Sequence, residues 1–149
     1  MNRKKIIALS ILIVFQLSVI AVMFIKAAAV RSYAKKNDTI VRVRCTAYDP
    51  FHPLKGRYVQ LNLNDDDIKD AENKTGFKLA NIQKTADAYY LQEEYALIVD
   101  SMNNNDFNEL EPVLELYIGK NGSIIQKELY VHHNGAELPI EQYIKDYAL

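Results

Sequence analysis

The chain changes its hydrophobic rhythm twice. From Ile6 to Ile25 it is apolar without interruption by charge, and only Ser10, Gln16 and Ser18 are polar. At 1.5 Å per helical residue, such a run of about 20 residues covers the ~30 Å hydrocarbon core of a bilayer. From Thr39 the period becomes two. Val41, Val43, Cys45 and Ala47 fall on one face, and Arg42, Arg44 and Thr46 on the other. Alternation of this kind predicts a half-buried strand. A second alternating strand is expected at Arg57–Asn64, with Val59, Leu61 and Leu63 facing in and Tyr58, Gln60 and Asn62 facing out.

Further along, Asn64 or Asp65 is placed to cap a short helix through Asn73, with acids in its first turn and Gly76 to end it. Phe77–Ile82 reads as a strand. Tyr95–Ser101, centred on Leu97, Ile98 and Val99, reads as a buried strand, and Asn103–Asp106 as a loop. Val113–Ile118 and Ile124–His132 flank Gly119-Lys120-Asn121-Gly122, and Asn-Gly is a strong hairpin signal. Leu138–Tyr147 is expected as a final strand or short helix. The expected fold is therefore mainly β, a small antiparallel barrel or sandwich with one or two short helices, following an N-terminal transmembrane helix. The division is 1–29 signal anchor, 30–38 juxtamembrane stalk and 39–149 β-rich domain.

Charge sharpens this picture. Up to Lys36 the charged residues are Arg3, Lys4, Lys5, Lys26, Arg31, Lys35 and Lys36. That leaves 11 of the 18 basic residues against all 19 acidic ones from Asn37 onward, a net of -8. A basic collar suits anionic headgroups. An acidic domain lacks the positive footprint that nucleic-acid binding requires. A cleaved signal peptide is the competing reading of the first segment, because Ala27-Ala28-Ala29 offers small residues for cleavage. Its apolar run is longer than the usual 7–15 residues, however, and Lys26 precedes the candidate site. Basic residues flank both ends of the span. The tighter Arg3-Lys4-Lys5 cluster favours an inside N-terminus, a single pass through the cell membrane and an extracytoplasmic domain. Cys45 is the sole cysteine, so no internal disulfide can form, and its place on the apolar face makes it a core residue.

Between the two predicted strands runs Tyr48-Asp49-Pro50-Phe51-His52-Pro53-Leu54-Lys55-Gly56, a rigid loop built on two prolines and a glycine. This stretch, with Arg57-Tyr58-Val59-Gln60-Leu61-Asn62-Leu63, resembles the GDYXXLXY domain proteins, a bacterial family of membrane-anchored proteins. Gly56, Tyr58 and Leu61 match its motif, while Arg57 stands where Asp is usual and Leu63 where Tyr is usual. Pro139-Ile140-Glu141-Gln142-Tyr143-Ile144 is similar to a C-terminal family segment, and Gln16-Leu17 fits its membrane helix. The resemblance implies an accessory protein without an assigned reaction, associated with a polytopic membrane protein as well as with the lipid bilayer through Ile6 to Ile25. Taken with the rigid loop, it nominates Asp49, His52, Lys55, Gly56, Tyr58, Glu141 and Tyr143 as a binding surface. A loop held by a sheet is a common recognition device. The plainer reading of the same loop is a tight corner between strands.

Catalytic and metal chemistry is poorly supplied. His132 and His133 are adjacent in a predicted strand and so point to opposite faces. Asp65-Asp66-Asp67, with Asp70 and Glu72, lacks the spacing of a calcium loop. Ser101-Met102 is similar to the Ser-Met of membrane signal peptidases. Ser101 here follows the Gly56 motif where theirs precedes it, and no lysine base is recognisable. No cofactor, metal or catalytic set is expected. Ten tyrosines and no tryptophan could instead line a sugar or small-ligand cleft, with Tyr58 foremost, although tyrosine also simply suits strands. An envelope hydrolase using Ser101, His132 or His133 is a third reading.

Overall fold

The computed structural model describes residues 3–47, 58–79 and 81–148. One helix, α1 (Arg3–Asn37, 35 residues), contains both the apolar run and the polar segment after it, so the helix does not stop where the charge begins. From Ile7 to Ile25 its large apolar side chains are exposed on all sides. The window that qualifies α1 as long and apolar enough to cross a membrane has none of its residues buried by protein. A helix apolar all round and without protein neighbours is suited to lipid.

The lower end of α1 is fastened to the domain. Asp38 takes the left-handed conformation (φ 52°) that closes the helix. The Thr39 amide then donates to the Ala34 carbonyl at 3.0 Å, a Schellman closure. The buried Thr39 hydroxyl donates to the Ile118 carbonyl at 2.6 Å, and the Ile118 amide donates back to the Thr39 carbonyl at 3.1 Å. Ala34 is fully buried, and Val30 rests on Gly119, where a Cβ would meet Val30 Cγ2 at 3.1 Å.

The domain is a six-stranded antiparallel sheet in the order β3-β2-β1-β4-β5-β6. Its strands are β1 (Ile40–Ala47), β2 (Tyr58–Leu63), β3 (Ala88–Tyr90), β4 (Val113–Ile118), β5 (Ile124–His133) and β6 (Ala136–Pro139). It curls into a half-barrel. The two halves are tied across the curl by side chains: Gln126 Nε2 donates to the Ala88 carbonyl at 2.9 Å, and the Tyr89 hydroxyl donates to Glu128 Oε1 at 2.8 Å. The concave face is filled. Val43, Leu61, Leu114, Leu116, Leu129, Val131, Ile140 and Ile144 are each at most 1% exposed. This burial is the main favourable term holding the curl.

Short helices close the remaining sides. They are α2 (Asp65–Thr75), α3 (Ile82–Ala86), α4 (Glu93–Ser101), α5 (Asn104–Glu109) and α6 (Ile140–Tyr143), the last running into a π-helical turn at Ile144–Ala148. β1 pairs with β2 only at Cys45–Ala47, so its edge from Ile40 to Arg44 lacks a strand neighbour on that side. α2 covers it. The Asn64 amide donates to the Arg44 carbonyl at 2.9 Å, and the Arg44 amide donates to Asp67 Oδ2 at 2.8 Å. Lys74 Nζ donates to the Ile40 carbonyl at 2.9 Å. The edge groups of Ile40 and Arg44 that these bonds occupy are withheld from pairing with another chain.

Several expectations hold. The two alternating strands are present as β1 (Ile40–Ala47) and β2 (Tyr58–Leu63), and so is the hairpin across Gly119–Gly122. So are the caps of α2: the Asn64 side chain accepts from the Asp66 and Asp67 amides, and Gly76 closes the helix with φ 72°. Others are corrected. The chain is 53% helical, so mainly β overstates the sheet, and α2 to α6 exceed the expected one or two short helices. Tyr95–Ser101 lies within α4, not a strand: Ala96 and Val99, three apart, are buried while Leu97 is 51% exposed. A short apolar run fits a helix or a strand equally by periodicity. The expected loop at Asn103–Asp106 begins α5, because the Asn103 side chain accepts from the Asp106 amide at 2.9 Å and buries Phe107 behind it. Phe77–Ile82 is not a strand either; Leu79 and Ile82 drop into the core three residues apart as α3 begins.

Candidate functional site

Of the residues nominated for binding, Asp49, His52, Lys55 and Gly56 lie outside the described residues, together with the rest of the proline loop. Tyr58, Glu141 and Tyr143 are described. By register, Tyr58 lies three residues beyond Leu61, the partner of the last residue of β1, so it sits at the sheet end away from α1. His133 lies beyond Tyr130, which pairs with Val113, which in turn pairs with Arg44. The β5–β6 turn therefore projects toward that same far edge.

Tyr58 is not on a solvent face as alternation predicts. It is 5% exposed, although Val59, Leu61 and Leu63 point inward as expected. Tyr58 pairs in register with Tyr90, and the two rings lie 5.7 Å apart. The outer side of this strand end is therefore covered, and the exposed aromatic is Tyr90, at 63%. An open cleft lined by Tyr58, which small-ligand binding would need, is not formed by the described residues. The concave face is a filled core.

Glu141 opens α6 and is half-buried. It is close enough for its charge to act on the hydroxyl of Tyr89, beside β2. Burial first, and then the bond to Glu128, push that hydroxyl well above the usual tyrosine range. Tyr143 is buried beneath an aromatic group. The His133 ring lies 5.2 Å from Tyr143 and 4.6 Å from Tyr147, and the two tyrosines stack at 5.8 Å. Tyr147, 57% exposed, is the solvent side of this group. Neither Tyr90 nor Tyr147 stood out among ten tyrosines in the sequence, because partners in β3 and the C-terminal turn select them.

The remaining candidates are dispersed. His132 faces Glu137, with Nε2 3.6 Å from Oε1, and its Nδ1 lies 3.2 Å from the Glu111 carbonyl oxygen. His133 turns to the opposite face, as adjacent strand residues must. Arg42 pairs with the same Glu137 and lies 5.3 Å from the Tyr130 ring centroid, so the outer face at β1, β5 and β6 carries a polar network. The Ser101 hydroxyl donates to the Ile98 carbonyl at 2.6 Å, a local helix contact. Asp66 pairs with Lys69 and Asp67 with Arg44, which engages the acidic run in holding α2. Among the described residues, no group of three His, Cys, Asp or Glu side chains could hold a metal. Cys45 is buried, and desolvation pushes its thiol up to about 12.

No protein-family model matches this chain, and no curated protein or solved structure matches it.

Proposed function

We propose that this chain is a membrane-anchored accessory protein whose far edge docks on another membrane protein or an envelope component. In this reading α1 crosses the cell membrane once, with its N-terminus inside and the domain outside. The single observation that carries it is the fastening of α1 to the sheet through Val30, Ala34 and Thr39. A span that ends in a flexible tether only localises a domain. A span that continues into the domain as one docked helix sets its height and orientation, which a docking protein needs.

The edge presented away from the anchor carries exposed Tyr90 and Tyr147, and tyrosine is enriched at interface anchors. The resemblance to the GDYXXLXY proteins supports the same role and makes a polytopic membrane protein the proposed partner. The decisive experiment places a photo-crosslinking amino acid at Tyr147, and at the exposed Lys69 as a control, in cells. A discrete adduct from Tyr147 alone is expected. A protein that crosslinks to nothing from either position and leaves the membrane alone in mild detergent would sink the proposal.

A further inference from the structure

The junction of α1 with the β4–β5 hairpin forms a cleft of about 540 Å³. Lys26 and Lys120 line it, together with Ala29, Val30, Tyr33, Asn121 and Ser123. Its height on the helix is set by the sequence. The charge-free run ends at Ile25, so Val30 lies about 7 Å further along at 1.5 Å per residue. A bilayer of ~30 Å core and 40–45 Å total thickness has roughly 5–7 Å of headgroup layer on each side. The hairpin tip therefore meets α1 at headgroup depth.

We propose that this cleft binds the headgroup of an anionic phospholipid. The inference rests on reading α1 as a membrane span. The phosphate sits between Lys26 and Lys120, which have no ion pair or hydrogen bond among the described residues. The side chains of Asn121 and Ser123 donate to the headgroup oxygens. A second, mostly apolar groove of about 360 Å³ runs up the helix past Val19, Val22 and Met23 and shares Lys26 with the cleft. It gives one acyl chain a path back into the hydrocarbon core. The domain carries net negative charge, so a basic cleft where it touches the bilayer has a local purpose. It offsets repulsion from anionic lipid and fixes the rotation of the domain about α1.

The test uses the full chain purified in mild detergent, with phosphatidylglycerol or phosphatidylcholine added back and bound lipid counted by native mass spectrometry. Phosphatidylglycerol is expected to be retained in preference. Lys26→Ala and Lys120→Ala should each lower its binding about fivefold, the factor for roughly 1 kcal/mol per basic residue near an anionic surface. Lys145→Ala makes the same charge change on the exposed C-terminal turn, at the edge of the sheet away from α1, and should leave binding unchanged. Equal binding of the two lipids, or an equal loss in Lys145→Ala, overturns the proposal. Displacement of the lipid by millimolar inorganic phosphate also overturns it, assigning the cleft to a free anion. A second measurement uses Asn121→Trp, which adds a tryptophan to a chain that has none. Brominated lipids in vesicles should quench it, and an unquenched signal rejects the headgroup placement. Alkaline extraction of the chain from membranes would refute the span itself, whereas lipid binding lost with the span intact refutes only the cleft.

Discussion

Removing the Asp67 carboxylate tests how the unpaired edge of β1 is held. Asp67 Oδ2 accepts from the Arg44 amide at 2.8 Å and from Arg44 Nε at 2.9 Å, and Oδ1 accepts from Arg44 Nη2 at 2.7 Å. The Arg44 side chain is 68% exposed, so water screens the ion pair and it adds little. The weight falls on the charge-assisted bond to the backbone amide, from a carboxylate only 16% exposed. Asp67→Ala should cost about 2 kcal/mol, the usual worth of a hydrogen bond to a charged group. Asp67→Asn keeps an oxygen for the amide but loses the charge, and should cost about 1 kcal/mol. Unfolding of the full chain in mild detergent, followed by circular dichroism against urea, measures both. The pH dependence follows from the same geometry. The hydrogen bond from Arg44 holds the Asp67 carboxyl below the usual range. Its contribution is therefore complete above the unfolded value of about 3.9 and is lost as pH falls through the lower native value. The gap between wild type and Asp67→Asn should persist at pH 7 and close below about pH 4. An Asp67→Ala variant within 0.5 kcal/mol of wild type, on the order of an ordinary surface change, or a gap unchanged at low pH, would refute the account.

Three further outcomes are expected. Cys45, buried and with its thiol pushed up to about 12, should resist a thiol reagent at pH 8 and react once urea unfolds the domain; native-state labelling at the rate of a free thiol contradicts the burial. Tyr89→Phe deletes the hydroxyl that reaches Glu128 across the curl and should destabilise by about 1 kcal/mol in the same urea assay; no change would mean that the closing contact adds nothing. Gly119→Ala places a methyl against Val30 and Ser123 and should cost about 1–3 kcal/mol by forcing α1 from the hairpin; a lowered thermal midpoint checks it, and an unchanged one means that the helix is not tightly seated.

Much of the fold is legible where the backbone alone decides. Asn64 and Gly76 delimit α2 because a side-chain acceptor and a left-handed residue are local requirements of helix ends. The Gly119–Gly122 hairpin is likewise local, and Gly122 takes φ 69° in its turn. A similar signal stands at Asn103-x-x-Asp106, where the Asn103 side-chain oxygen accepts from the Asp106 amide and its Nδ2 donates to Asp106 Oδ2 at 2.6 Å. Tyr95–Ser101 was ambiguous in a stricter sense. Leu97-Ile98-Val99 becomes a helix because the core needs Ala96 and Val99 on one side, information held by other segments. Of the candidate binding set, the sequence placed Glu141 and Tyr143 together on one short segment, but not the burial of Tyr58.

From the sequence by itself came the long apolar helix, the separation of basic anchor from acidic domain, and the inward alternation of β1 and β2. These follow from transfer of single side chains into lipid or core, and each residue carries its own share of that free energy. Only the tertiary structure decided that α1 is docked on the sheet, that Gln126 and Tyr89 tie the sheet across its curl, and that Tyr90 and Tyr147 are the exposed aromatics among the described residues of the domain. Those outcomes depend on pairs far apart in the chain, Thr39 with Ile118 and Tyr89 with Glu128. No local pattern encodes which distant group will satisfy a buried hydroxyl or cover an open strand edge.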